Sequence, residues 1–157
     1  MIQRIQSVFL GLIAILMTLF LFLPIWTKMD KDSGIELLVN SLGMKQMKGE
    51  TVITEQAAIH IFLSGFCAVV VSVISLLSYR HRSRQILLGL INSLLIAIAT
   101  VSAALLINSS EQIILPNERG SFQIGLFLPV ISLVLNMLAN RFIRKDENLV
   151  RSADRIR

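Results

Sequence analysis

Residues 85–110 read QILLGLINSLLIAIATVSAALLINSS, a run of 26 residues without Asp, Glu, Lys or Arg. About 20 helical residues cross a hydrocarbon core about 30 Å thick, so this run is long enough to span a bilayer. Three further uncharged runs occupy residues 5–27, 56–79 and 120–140. None alternates apolar and polar residues as a membrane strand does. We therefore predict four transmembrane helices, because backbone groups in lipid must be hydrogen-bonded within their own segment.

The composition also differs from that of a soluble protein. Apolar residues make up 54% of the 157 residues and charged residues only 16%, and the mean hydropathy is +0.72. A soluble domain carries about 25% charged residues. These values argue against a soluble fold or a disordered chain, and a single cysteine excludes a disulfide scaffold. One integral membrane domain covering residues 1–157 is expected for this length.

Basic residues are unevenly distributed over the segments that flank the four runs. The N-terminus, the loop 80–84 and the tail 141–157 together carry ten Lys or Arg. The loops 28–55 and 111–119 carry five, together with seven Asp or Glu. The positive-inside rule then predicts that both termini and the loop 80–84 are cytoplasmic and that the two acidic loops lie outside.

We interpret the first run as an uncleaved helix. Its apolar part exceeds the ~7–15 residues of a signal peptide, and no small-residue cleavage site follows it. Leu23-Pro24-Ile25-Trp26 is typical of a helix end, with Trp26 expected at the membrane interface.

Small residues recur at four-residue spacing in the second and third runs and would allow two helices to approach closely. The short loop 80–84 between these runs predicts an antiparallel hairpin. We expect the two small faces to meet, although such residues could instead fill lipid-facing positions. The faces comprise Ser64, Ala68 and Ser72 in one helix and Gly89, Ser93 and Ala97 in the other.

Asn92 and Asn136 lie well inside their runs. An unpaired amide in hydrocarbon costs several kcal/mol, so we expect each to hydrogen-bond to a neighbouring helix, with Ser132 and Thr100 as candidate partners. The alternative is that these amides line a substrate path. No formal charge lies inside a run, and this disfavours ion or proton coupling.

No catalytic, metal-binding or cofactor-binding residues are predicted, and we expect no enzymatic activity. His60 and His81 fall on opposite sides of the membrane in the predicted topology. They therefore cannot together form a zinc site. Neither His is expected to reach mid-membrane, which argues against a Cys–His or Ser–His nucleophilic site there. The acidic residues lie outside the runs, and the chain has no glycine-rich phosphate loop.

The outer loops contain three short stretches with strand-like composition, residues 35–40, 50–55 and 112–115, separated by turn residues. They form either a small sheet over the outer end of the bundle or irregular loops. An isolated hairpin is marginal in water, so a sheet would lean on the helix ends. The predicted fold class is an all-α membrane protein, a four-transmembrane-helix bundle with a small outer-loop cap.

The tail 141–157 contains no Gly or Pro and carries apolar residues at helical spacing, so we expect it to extend helix four as a basic amphipathic helix. It would anchor on anionic lipid headgroups or dock onto a partner protein. Contact with nucleic acid or the ribosome is disfavoured because three acidic residues dilute its charge. The candidate contact residues on the cytoplasmic side are Arg80, Arg82, Arg84, Arg144, Lys145, Arg151, Asp154 and Arg155.

Both ends of the chain resemble a known family. The opening Met1–Gln6 and the closing segments Leu138–Arg141, Ile143–Glu147 and Leu149–Arg157, with Phe127–Pro129, resemble a Bacteroidota family of small inner-membrane proteins classed as a domain of unknown function. The resemblance implies four spans, a cytoplasmic tail and an inner membrane within a two-membrane envelope, so that loops 28–55 and 111–119 face the periplasm. It implies no activity, substrate or catalytic residue.

The expected function is therefore that of a non-catalytic accessory or assembly subunit of a larger inner-membrane complex, binding other membrane proteins through its helix faces and its tail. One alternative is a small homo-oligomeric transporter or channel for a neutral or lipophilic solute, with Asn92, Asn136 and Thr100 lining the path. Another is a lipid-binding protein with a cavity between its helices.

Overall fold

A computed structural model describes residues 2–30, 33–49, 51–78, 82–113 and 119–154. The prediction of an all-α fold is wrong, because the helices are accompanied by a five-stranded antiparallel sheet. The elements in chain order are α1 (Ile2–Phe22), β1 (Trp26–Asp30), β2 (Ile35–Asn40), β3 (Gly43–Lys48), β4 (Thr51–Ala57), α2 (Ile59–Leu77), α3 (Arg82–Glu111), β5 (Ser121–Phe122) and α4 (Ile124–Asp154).

The sheet has the strand order β4-β3-β2-β1-β5, and every neighbouring pair is antiparallel. Strand β2 coincides with the predicted stretch 35–40, and β4 begins in the predicted stretch 50–55 but extends to Ala57, whereas β1 and β3 lie outside the predicted stretches. β3 reads GMKQMK, and its Gly and Lys residues have low strand propensity. Pairing with β2 and β4 on either side compensates for this. Of the predicted strand 112–115, residues 112 and 113 form a turn and 114–115 lie outside the described residues. The fifth strand, Ser121–Phe122, lies instead at the start of the fourth uncharged run, 120–140.

The first helix ends at Phe22, before the predicted Thr27. Pro24 has no backbone N–H and disfavours a helical residue before it, so the chain leaves the helix there. Trp26 begins β1, pairs with Val39 and Phe122, and is fully buried within the protein. A Cβ at Gly120 would lie 2.1 Å from the indole ring, so this glycine leaves the space that the buried Trp26 side chain fills.

The four helices form a ring in which α1 and α3 each pack against α2 and α4. The sheet lies at the end where α1 and α3 finish and α2 and α4 begin, so neighbouring helices run antiparallel. Phe9 near the start of α1 accordingly stacks on Phe142 late in α4, with ring centroids 5.7 Å apart. The core contribution of α1 comes from one stripe at helical spacing, namely Leu10, Ile13, Met17 and Phe20.

Hydrogen bonds fix the sheet to the helix ends. In the β2–β3 turn, the Ser41 hydroxyl donates to the Leu21 carbonyl (2.6 Å), and the Leu42 carbonyl accepts from the Ala58 N–H (2.7 Å). On β1, the buried Lys28 ammonium donates to the Glu111 carbonyl at the end of α3 (3.0 Å). A cation is favourable there because it faces the negative end of the helix dipole. The sheet is therefore attached to the ends of α1, α2 and α3.

The outward faces of the helices are apolar, with exposed residues such as Leu12, Leu63, Leu94 and Val134. Within the described residues, four helical segments are long and apolar enough to cross a membrane: Ile5–Phe22, Ile59–Leu77, Ser83–Glu111 and Ile124–Asn148. An outward apolar surface of this extent is typical of helices that contact lipid or other apolar helices.

Candidate functional site

A hydrogen-bonded polar cluster occupies the interior of the bundle. Asn136 on α4 is fully buried, and its side-chain N–H₂ donates to the Gly89 carbonyl and the Ser93 hydroxyl, both at 2.7 Å. Asn92 on α3 donates to the Ser72 hydroxyl on α2 (3.0 Å) and to the Asn136 amide oxygen (3.5 Å). The two asparagines therefore link α2, α3 and α4.

The partners of the two amides differ from those we expected. The Ser132 hydroxyl donates to the Leu128 carbonyl (2.8 Å) and the Thr100 hydroxyl to the Ile96 carbonyl (2.7 Å), each within its own helix. A hydroxyl in a helix always has the carbonyl four residues earlier within reach, and that bond requires no second helix. Within the described residues, Ser132 and Thr100 form no hydrogen bond between helices.

The small faces also pack differently from the prediction. A Cβ at Gly89 would lie 2.0 Å from the Asn140 amide oxygen, and Ser93 accepts a hydrogen bond from Asn136, so these two residues of the small face of α3 pack on α4. Asn92, the residue on α3 that bonds to α2, lies about 60° around the helix from Gly89. On α2, Ser72 accepts the bond from Asn92. Ser64 and Ala68 are also buried, and Ala97 on α3 is half-buried.

The buried polar residues continue toward the end of the bundle opposite the sheet. The Gln85 amide on α3 donates to the Ser75 carbonyl on α2 (3.1 Å). Within the described residues, Gln6 Nε2, Ser75 Oγ and Asn92 Oδ1 are buried without a protein hydrogen-bond partner. Buried polar atoms of this kind are commonly satisfied by ordered water. The buried side-chain amides, those of Gln6, Gln85, Asn92 and Asn136, therefore all lie toward this end of the bundle.

A groove of about 310 Å³ lies between α3 and α4 at the same end of the bundle. Arg141 and Arg144, separated by one helical turn, are exposed at its edge. Neither arginine forms an ion pair with another described side chain. A salt bridge joins Lys45 to Glu55 across the sheet, at the other end of the bundle (3.0 Å). The remaining lining residues are Leu90, Ser93, Met137 and Asn140.

Residues 2–156 match the family model described as a domain of unknown function, DUF4293. The chain belongs to the DUF4293 family. The match covers nearly the whole length, so the helices, the sheet and the groove of this DUF4293 chain all fall within the family's domain. None of the curated proteins compared with it is similar to the chain.

The predicted cytoplasmic contact residues of this DUF4293 protein are only partly described. Arg84, Arg144 and Lys145 are exposed at the end of the bundle opposite the sheet. Three of these residues lie in helices, but their side chains are not described: Arg82, Arg151 and Asp154. Arg80 and Arg155 lie outside the described residues. The α4 helix itself is continuous to Asp154.

Within the described residues no three His, Cys, Asp or Glu side chains come together as a potential metal site. His60 is exposed at the start of α2, next to the sheet, and Cys67 is half-buried in the same helix. His81 lies outside the described residues.

Asn140 and Arg141 were not among the predicted site residues, although the structure places both at the groove. The spacing of Arg141 and Arg144 predicts that both lie on one face of a helix, because residues three apart are neighbours on the helix surface. The contribution of Asn140 could not be inferred, since it depends on the contact with Gly89 across two helices.

Proposed function

We propose that this DUF4293 protein is an integral inner-membrane protein of a two-membrane bacterial envelope, of the Bacteroidota type, and serves as an accessory or assembly subunit of a larger membrane complex. Both termini would lie in the cytoplasm and the sheet in the periplasm. The protein would act by binding other membrane proteins, without catalytic chemistry of its own.

The distribution of charge supports the orientation. The exposed basic residues Arg84, Arg141, Arg144 and Lys145 lie at the end of the bundle opposite the sheet. The sequence on the sheet side contains more acidic than basic residues. The positive-inside rule favours the arginine-rich end as the cytoplasmic one.

The observation that carries the accessory role is the open edge of the sheet. β4 is one of the two edge strands, all seven of its residues are exposed, and it pairs only with β3 among the described strands. Free edges are usually shielded because they can pair with another chain. An extended segment of a partner protein could add to this edge through main-chain hydrogen bonds. The proposed binding surfaces are then the strand edge, the outer helix faces and the basic tail.

The polar interior supports a structural role for the asparagines over a solute path. Both amide hydrogens of Asn136 are donated and its oxygen accepts from Asn92. Thr100 bonds to its own helix. A solute would have to break bonds that connect α3 and α4, so the transporter alternative receives less support. The α3–α4 groove supports lipid binding as a second role.

Co-purification tests the accessory role. We expect the tagged full-length protein, extracted from native membranes in mild detergent, to bring a stoichiometric set of membrane proteins identified by mass spectrometry. Deleting residues 144–157 should remove at least one of them, because the basic tail is a proposed contact. A tail of the same composition in scrambled order is the matched control for charge and length.

Isolation of the protein alone, or only with copies of itself, would contradict the accessory role. Retention of every partner by the truncated chain would contradict the contribution of the tail while leaving the edge strand and the helix faces as contacts.

A further inference from the structure

We propose that the groove between α3 and α4 binds one anionic phospholipid, with Arg141 and Arg144 holding its headgroup phosphate and Leu90 and Met137 contacting the upper part of an acyl chain. This inference rests on the proposed membrane insertion and is independent of the accessory role.

The depth of the groove fits the position of lipid phosphates. At 1.5 Å per residue, Arg141 and Arg144 lie about 26 and 30 Å along α4 from Ile124, where the helix begins at the sheet. The hydrocarbon core is about 30 Å thick. With the sheet end of α4 placed at one face of the core, Arg144 falls at the opposite face and Arg141 about 4 Å inside it, from where a long basic side chain reaches the headgroup layer.

The chemistry of the lining changes along the groove as it does along a phospholipid. Arg144 lies nearest the tail end of α4, Arg141 and Asn140 follow, and Met137 lies one turn deeper. A guanidinium group binds phosphate through paired charge-assisted hydrogen bonds, and Arg is better suited to this than Lys. Because neither arginine forms an ion pair with a described residue, both remain available for an anion.

The polar cluster fixes the positions of α3 and α4 at the end of the groove nearer the sheet. Asn136 ties Ser93 and the Gly89 carbonyl on α3 to α4 at the base of the groove. The missing side chain at Gly89 allows Asn140 to lie against α3, where its amide lines the groove. The volume of about 310 Å³ suits a headgroup and the first part of a chain, with the rest of the lipid lying along the exposed apolar helix faces.

Lipid retention by matched variants tests the proposal. The full-length protein is delipidated in detergent, titrated with phosphatidylglycerol or phosphatidylcholine, and examined by native mass spectrometry. We expect preferential retention of phosphatidylglycerol, and a decrease of about tenfold or more in its affinity for the double variant Arg141→Gln/Arg144→Gln. The control Lys48→Gln/Arg119→Gln removes the same charge from two exposed residues at the sheet end, outside the proposed contacts, and should bind like the wild type. Leu90→Trp, which keeps both arginines but fills the groove, should also weaken retention.

Unchanged binding by the double groove variant, or an equal loss in the control variant, would overturn the site. Displacement of the lipid by inorganic phosphate would identify a soluble phosphate as the occupant and overturn the lipid assignment. Flotation with pure phosphatidylcholine vesicles separates the two proposals. Failure to float would contradict membrane insertion itself, whereas a protein that floats but does not prefer phosphatidylglycerol contradicts only the headgroup site.

Discussion

Replacement of Gly43 by alanine is expected to lower the free energy of unfolding by about 3 kcal/mol or more. Gly43 has a φ of +148°, which L-residues rarely adopt, and a Cβ there would lie 2.1 Å from the Gln56 carbonyl oxygen. Because that oxygen belongs to the backbone of β4, the clash can be relieved only by separating β3 from β4. Gly43 also ends the β2–β3 turn, which hydrogen-bonds to the ends of α1 and α2. The substitution should therefore also weaken the attachment of the sheet to these helices.

Gly34→Ala is the matched control for this substitution. Gly34 also has a positive φ, +67°, but a Cβ there would meet nothing within 4 Å. Its replacement should cost only the conformational term of about 1 kcal/mol. Unfolding of both variants in mixed micelles with increasing SDS, followed by circular dichroism, measures the difference. Equal losses of stability would show that the close contact of Gly43 with β4 contributes nothing.

Asn136→Leu is expected to destabilise the bundle by about 2 kcal/mol. The substitution removes two donated hydrogen bonds to α3 and the acceptor for Asn92. Side-chain hydrogen bonds between membrane helices average about 0.6 kcal/mol each and reach about 1.7 kcal/mol. Since all three contacts involve one fully buried side chain, their loss should be concentrated at the α3–α4 interface.

Asn108→Leu provides the corresponding control, since it makes the same chemical change at an exposed position on α3. It should alter stability by less than about 0.5 kcal/mol. The same SDS titration compares the two variants. If Asn136→Leu were as stable as the wild type, the polar cluster would not contribute to holding the helices together.

The helices were predictable because long uncharged runs have few alternative structures. The ends of the helices were less predictable. Ile25, Trp26 and Thr27 continue the first uncharged run but belong to a loop and a buried strand, and hydropathy alone cannot separate a buried strand from a helix end. Pro24 was the local signal for the change. β3 could not be predicted because its residues have low strand propensity and its structure depends on its two neighbours.

The need of Asn92 and Asn136 for hydrogen bonds was predictable from the cost of an unpaired amide in hydrocarbon. Their partners were not, because a spacing of four residues defines a face of one helix and does not say which helix it meets. Gly89 illustrates this, since it packs on Asn140 of α4, whereas we expected a contact with α2. The groove could not be inferred for the same reason, as its lining combines residues of α3 and α4.

The orientation of the bundle in a membrane is the central claim, and labelling of single cysteines tests it most directly. In a Cys67→Ser background, Lys48→Cys places one thiol at an exposed site on β3 and Lys145→Cys places one at an exposed site late in α4. We expect a membrane-impermeant maleimide to label the Lys48→Cys variant in intact spheroplasts and the Lys145→Cys variant only after lysis. Labelling of both variants in intact spheroplasts, or the reverse pattern, would contradict the proposed topology.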